Sequence, residues 1–126
     1  MNNGMEIRAK INIVDERGEP FMGPGVLRLL QRVGEQKSIN GAARQMKLSY
    51  VKALNLLNRL EADLGRQILI RKRGGHDRGG TQLTPFGESY VLEYSRLEKK
   101  IRTQVEKEFR IFQDRMAAAR PEDARP

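Results

Sequence analysis

The chain has 126 residues, 38% of them hydrophobic and 32% charged, with no cysteine and a single histidine, His76. That length holds about one domain, and the composition excludes a disulfide scaffold, a thiol nucleophile, a thiolate or histidine-rich metal centre and an apolar run long enough to cross a membrane. The formal net charge of +8 makes a polyanion the expected partner, and half of that excess lies in residues 66–80, where Arg66, Arg71, Lys72, Arg73 and Arg78 oppose only Asp77. No basic stretch followed by an apolar segment opens the chain, so a cytoplasmic protein without a secretory signal is expected.

Ile7, Ala9, Ile11 and Ile13 alternate with Arg8, Lys10 and Asn12, the period-two pattern of a half-buried strand. Asp15-Glu16-Arg17-Gly18 reads as a turn. Glu19-Pro20-Phe21-Met22 returns as a short edge strand, because proline cannot donate to a ladder. Gly23-Pro24 opens a helix with Val26, Leu27, Leu30 and Val33 on its buried side and Gly34 as its stop.

Ser38 caps a second, short helix through Ile39, Ala42, Ala43 and Met46, whose small residues allow another helix to cross closely. Ser49 is a second N-cap. It opens a helix over Val51 to Leu64 that closes at Gly65 and buries Ala53, Leu57, Leu60 and Leu64. Gln67–Ile70 and Thr81–Thr84 then read as two strands joined by the glycine-flanked tip Gly74–Gly80. Thr84 caps a last helix with Pro85 at its first position and Glu88 in its first turn.

That helix carries a stripe of Tyr90, Tyr94, Leu97, Ile101, Val105, Phe109, Phe112 and Met116. The stripe is longer than a body this small can cover, so a homodimer is expected, with the helices crossed or antiparallel because the spacing departs from a strict heptad. Ala117-Ala118-Ala119 and the tail from Arg120 are expected to be frayed or disordered.

The expected fold is mainly α with a small β component: a winged helix-turn-helix with an N-terminal β-hairpin over residues 1–84, a long C-terminal dimerisation helix over 85–119 and a disordered tail over 120–126. Two helices across a tight turn, the second opened by a serine, make a helix-turn-helix whose second helix suits a DNA major groove. The basic hairpin after it is the wing.

Side chains at the start of a recognition helix reach base edges, which selects Ser49, Tyr50, Val51, Lys52 and Asn55, with Arg59 further along as a phosphate partner. The amide of Asn55 both donates to and accepts from adenine, and Lys52 suits guanine or a phosphate; a solvated helix surface is the alternative for each. Tyr50 either packs on the neighbouring helix or offers its hydroxyl to phosphate. Ser38 and Asn40 present backbone N–H groups to a phosphate, although capping alone also explains Ser38. Lys47, in the turn, sits close to DNA. Arg71, Lys72, Arg73 and Arg78 are expected on the DNA backbone or minor groove, adding affinity and register. His76 reads as an exposed loop histidine that would strengthen binding if it became charged at mildly acidic pH. The glycines at 74, 75, 79 and 80 do not make a nucleotide loop, because the lysine-serine or lysine-threonine ending is missing.

The segment SINGAARQMKLSYVKALNLLNRLEADLGRQILIRKRGG, from Ser38, resembles the winged helix-turn-helix of LysR-type regulators, and LTPFGESY from Leu83 resembles the motif that follows their wing. The chain is more closely similar to the N-terminal domain of the ModE family. That likeness rests on Ser49-Tyr50 with Ala53, on GGHDRGG leading to LTPFGE and on the preceding strand and GPG-initiated helix, over about residues 6 to 100. The resemblance implies a dimeric, sequence-specific regulator on double-stranded DNA. It places oxyanion sensing in a C-terminal domain, and this chain ends soon after the long helix, so no cofactor or metal is expected, a small-molecule effector is left open, and oxyanion sensing stands only as family analogy. Lys47 occupies a turn position where these families often carry glycine, at a cost of about 1 kcal/mol if its φ is positive. The expected function is transcription regulation and not enzymatic catalysis. The alternatives are a sequence-indifferent architectural DNA binder and a protein-interaction module.

Overall fold

A computed structural model describes residues 4–72 and 80–119. Asp15 builds the first turn. Its Oδ1 accepts the backbone N–H groups of Arg17 (2.8 Å) and Glu19 (3.0 Å), folding the chain so that β1 (Ile13–Val14) meets β2 (Pro20–Met22) antiparallel. The hairpin is as expected, but the strand does not extend back to Ile7. Pro24 begins a helix immediately after β2, so no residues remain to pair with 7–12, and Ile7 and Ala9 are exposed.

Helix α1 (Pro24–Gln36) has proline at its start and runs past Gly34 to Lys37, which takes the left-handed conformation at φ 56 and ends the helix. Gly34 is therefore an interior helical residue and not the stop. Its bare Cα lies beside Leu83, where an added Cβ would come within 3.5 Å of that side chain.

Helix α2 (Ile39–Gln45) is capped by Ser38, whose Oγ accepts from Gly41 N at 2.9 Å. It ends in a Schellman arrangement: Leu48 N donates to Ala43 O (2.9 Å) and Lys47 N to Arg44 O (3.1 Å). This requires a left-handed residue at Lys47, and its φ is 57. Helix α3 (Tyr50–Leu64) is opened by Ser49, which accepts from Lys52 N at 3.0 Å, and closed by Gly65 at φ 66.

The Glu61 carboxylate on α3 accepts from both Ile68 N (2.8 Å) and Leu69 N (3.1 Å), turning the chain into β3 (Leu69–Arg71). That strand pairs antiparallel with β4 (Thr81–Leu83), Leu69 opposite Leu83 and Arg71 opposite Thr81. Thr84 then joins the wing to α4 (Pro85–Ala118): its hydroxyl donates to Gln67 O (2.8 Å) and accepts from Gly87 N (2.9 Å). The helix continues through Ala117 and Ala118, which are not frayed; the expected tail from Arg120 lies outside the described residues.

Two compact units emerge. Residues Lys10–Ser95 form the winged helix-turn-helix, with a core that includes Met22, Leu29, Leu30, Val33, Ala42, Ala53, Leu57, Leu60 and Ile68. The start of α4 belongs to this body. Tyr94 is 3% exposed and its hydroxyl donates to Ile11 O at 2.7 Å. The second unit comprises the residues before Lys10 and after Ser95. In it the distal part of α4 and the segment Met5–Ala9 line a groove of about 870 Å³.

Candidate nucleic-acid interface

The caps described above set the geometry of the site. Ser38 and Ser49 start α2 and α3, and the antiparallel register of β3 and β4 brings the base of the wing to the same side of the body. A cleft of about 200 Å³ results, lined by Ser38, Ile39, Asn40, Tyr50, Arg71, Lys72, Gly80 and Thr81. Five of the residues singled out from the sequence, Ser38, Asn40, Tyr50, Arg71 and Lys72, thus converge from three separate elements. The lining holds two cations and no carboxylate. A backbone bond, Thr81 N to Lys37 O at 2.9 Å, joins the wing to the end of α1.

Along α3, Ser49, Tyr50, Val51, Lys52 and Asn55 are all exposed, Val51 at 63% and Tyr50 at 46%. Most of the Val51 side chain is thus open to solvent at the start of the helix. Lys47 is also exposed. Arg73, His76 and Arg78, expected on the wing tip, lie outside the described residues.

Arg59 does not join this group. Its guanidinium bonds Asp15 Oδ2 and Asp63 Oδ2, each at 3.2 Å, away from the cleft. Asp15 is held below the usual carboxylate range chiefly by the N–H of Glu19, which burial opposes, with the N–H of Arg17 and the nearby Arg59 adding smaller downward effects.

Sequence reasoning missed Asn58, whose Oδ1 accepts from Arg71 Nη2 at 3.2 Å and so ties the wing cation to the recognition helix. Its position one turn beyond Asn55 was the available signal. Glu61 was missed as well, because its role depends on two N–H groups seven and eight residues away.

The stripe on α4 is divided. Tyr94 is a core residue of the winged unit and is closed to a partner, while Tyr90 is half-buried against Phe86. Burial pushes the Tyr90 hydroxyl pKa up. Further along, Ile101, Val105 and Phe109 are half-buried, while Leu97, Phe112 and Met116 are 44%, 58% and 52% exposed. Among the described residues, no cluster of His, Cys, Asp and Glu suits a metal ion, and no helix is long and apolar enough to cross a membrane.

Helix, tight turn, serine-capped helix and two-stranded wing in this order define a winged helix-turn-helix protein. The family described as bacterial regulatory helix-turn-helix protein, lysR family, matches residues 25–88, from the first turn of α1 into the first turn of α4, and the chain belongs to that family. It is 39% identical over 94 residues to the transcriptional regulator ModE of Haemophilus influenzae, covering 75% of this chain and 35% of that protein. It is 36% identical over 72 residues to the molybdenum transport protein ModE of Azotobacter vinelandii, covering 57% and 27%. The chain thus spans about a third or less of the length of these relatives. Among solved structures, the BenM DBD on benA site 1 DNA superposes with a TM-score of 0.54 at 26% identity, over 71% of this chain and 99% of that one.

Proposed function

We propose that this chain is a sequence-specific double-stranded-DNA-binding regulator of transcription, cytoplasmic and non-enzymatic, that acts as a dimer. The observation that carries the reading is the cleft where α2, α3 and the wing base meet, with Arg71 and Lys72 on it and no carboxylate. The DNA-bound BenM DBD and the transcriptional regulator of H. influenzae support it by likeness.

In this reading α3 enters the major groove. Asn55 takes an adenine edge, Lys52 a guanine or a phosphate, and the exposed Val51 lies against a thymine methyl. Ser38, Asn40 and Tyr50 hold a phosphate at the cleft, while Arg71 and Lys72 carry the wing along the backbone. The exposed distal stripe of α4 pairs two copies, setting two recognition helices about 34 Å, or a multiple of it, apart.

Selection of duplexes from a random pool tests this. Enrichment of an inverted repeat with half-sites about one helical turn apart is expected. Duplexes retained without any enriched sequence would instead indicate an architectural DNA binder, and no retention would leave a protein-interaction module.

A further inference from the structure

Among the described residues other than glycine, two have positive φ, and both are lysines: Lys37 at 56° and Lys47 at 57°. They bracket α2, Lys37 directly before its serine cap and Lys47 directly after its last turn, with the seven-residue helix spanning about 10 Å between them. Each sits where a helix stops in the left-handed conformation, a position that glycine fills without a Cβ clash and asparagine tolerates. Lysine's local return there is the attraction of its charge to the negative end of the helix it follows, small at an exposed site and weakened by salt. Both side chains are exposed, and neither ammonium meets an acceptor among the described residues. Beyond that screened attraction, the strain at each position is matched by no hydrogen bond or ion pair of the ammonium among the described residues, the pattern expected where a side chain serves an outside ligand.

Lys37 is also placed for that ligand. Its carbonyl receives the wing through Thr81 N, and the next residue, Ser38, lines the cleft. We infer that Lys37, together with Lys47, forms a pair of phosphate-binding cations straddling α2, each taking a different DNA phosphate. The inference rests on the DNA-binding reading above and adds Lys37, which that reading does not use. A compact ammonium on a flexible stem suits a phosphate as a point charge.

Substitution by glycine separates side chain from backbone, because the bond to Thr81 uses only the Lys37 carbonyl. Wild type, Lys37→Gly, Lys47→Gly, the double variant and Lys37→Arg are titrated on the selected duplex and on a mixed-sequence duplex across a salt series, with melting temperature recorded for each. Each glycine variant is expected to melt at or above the wild-type temperature and to lose several-fold in affinity on both duplexes alike. Its log-affinity against log-salt slope becomes shallower by about 1, and that of the double variant by about 2. Lys37→Arg retains the wild-type slope. A Lys37→Gly protein with wild-type affinity and slope, or one that melts lower, overturns the inference while leaving the DNA-binding reading intact. A wild type with no salt dependence overturns both.

Discussion

Arg59 Nη2 donates to Asp15 Oδ2 at 3.2 Å, joining the third helix to the first turn across 44 residues of sequence. Asp15 is thereby shared between two jobs: one oxygen folds the hairpin and the other orients an arginine that also bonds Asp63. Because the carboxyl of Asp15 has a lower pKa in the fold than in the free chain, it adds stability above the ordinary carboxylate range and loses it as pH falls through the lower, folded value. Urea unfolding of wild type and Asp15→Asn between neutral pH and about pH 3 is expected to show a smaller acid loss in the variant. Identical pH profiles would contradict this.

Gly87 lets α4 pass close against the backbone of Ile68, the residue before β3. A Cβ there would run into the carbonyl oxygen of Ile68, which is backbone and already accepts from Thr84 N at 2.8 Å. Gly87→Ala is expected to destabilise the winged unit by about 1–3 kcal/mol, visible as a lower melting temperature by circular dichroism. An unchanged melting temperature would mean that the contact relaxes without cost.

The distal part of α4 carries Phe109 and Phe112, their rings stacked 6.2 Å apart, and Phe112 is 58% exposed. Burial in a partner is the proposed fate of this surface, so Phe112→Glu is expected to shift sedimentation equilibrium from dimer to monomer while the thermal transition of the winged unit persists. A variant that sediments as wild type would rule the stripe out as the pairing surface.

The division between reading and holding predicts two different losses. Asn55→Ala is expected to reduce the preference for the selected duplex over a mixed one by about tenfold, from a lost bidentate contact of 1–3 kcal/mol. Arg71→Ala weakens both duplexes by the same factor and flattens the salt slope. Competition binding checks this, and equal losses of preference in both variants would contradict it.

What could be read from the sequence is what local chemistry determines. The serines at 38 and 49 and Thr84 each cap the helix expected of them, and Gly65 closes α3, because a cap is set by atoms within a turn of chain. The Lys47 turn was legible for the same reason. The alternation from Ile7 to Ile13 misled because a strand also needs a partner of equal length, and the return strand stops at Met22. Gly34 misled because glycine is tolerated inside a helix where a neighbour approaches closely. In the interface, the exposed residues of α3 follow from helical periodicity. Arg59 with Asp15, Arg71 with Asn58 and Glu61 with the start of β3 are tertiary contacts with no local pattern to announce them.

Contact between this cationic cleft and phosphates is the central claim. Equilibrium titration of the full chain with a mixed-sequence duplex, from about 50 to 200 mM salt, measures this directly. Six or more released counterions would weaken binding by about a thousandfold or more over that range, and a loss of at least about a hundredfold is predicted. An affinity that does not change with salt, or no measurable binding at the lowest salt, would contradict it.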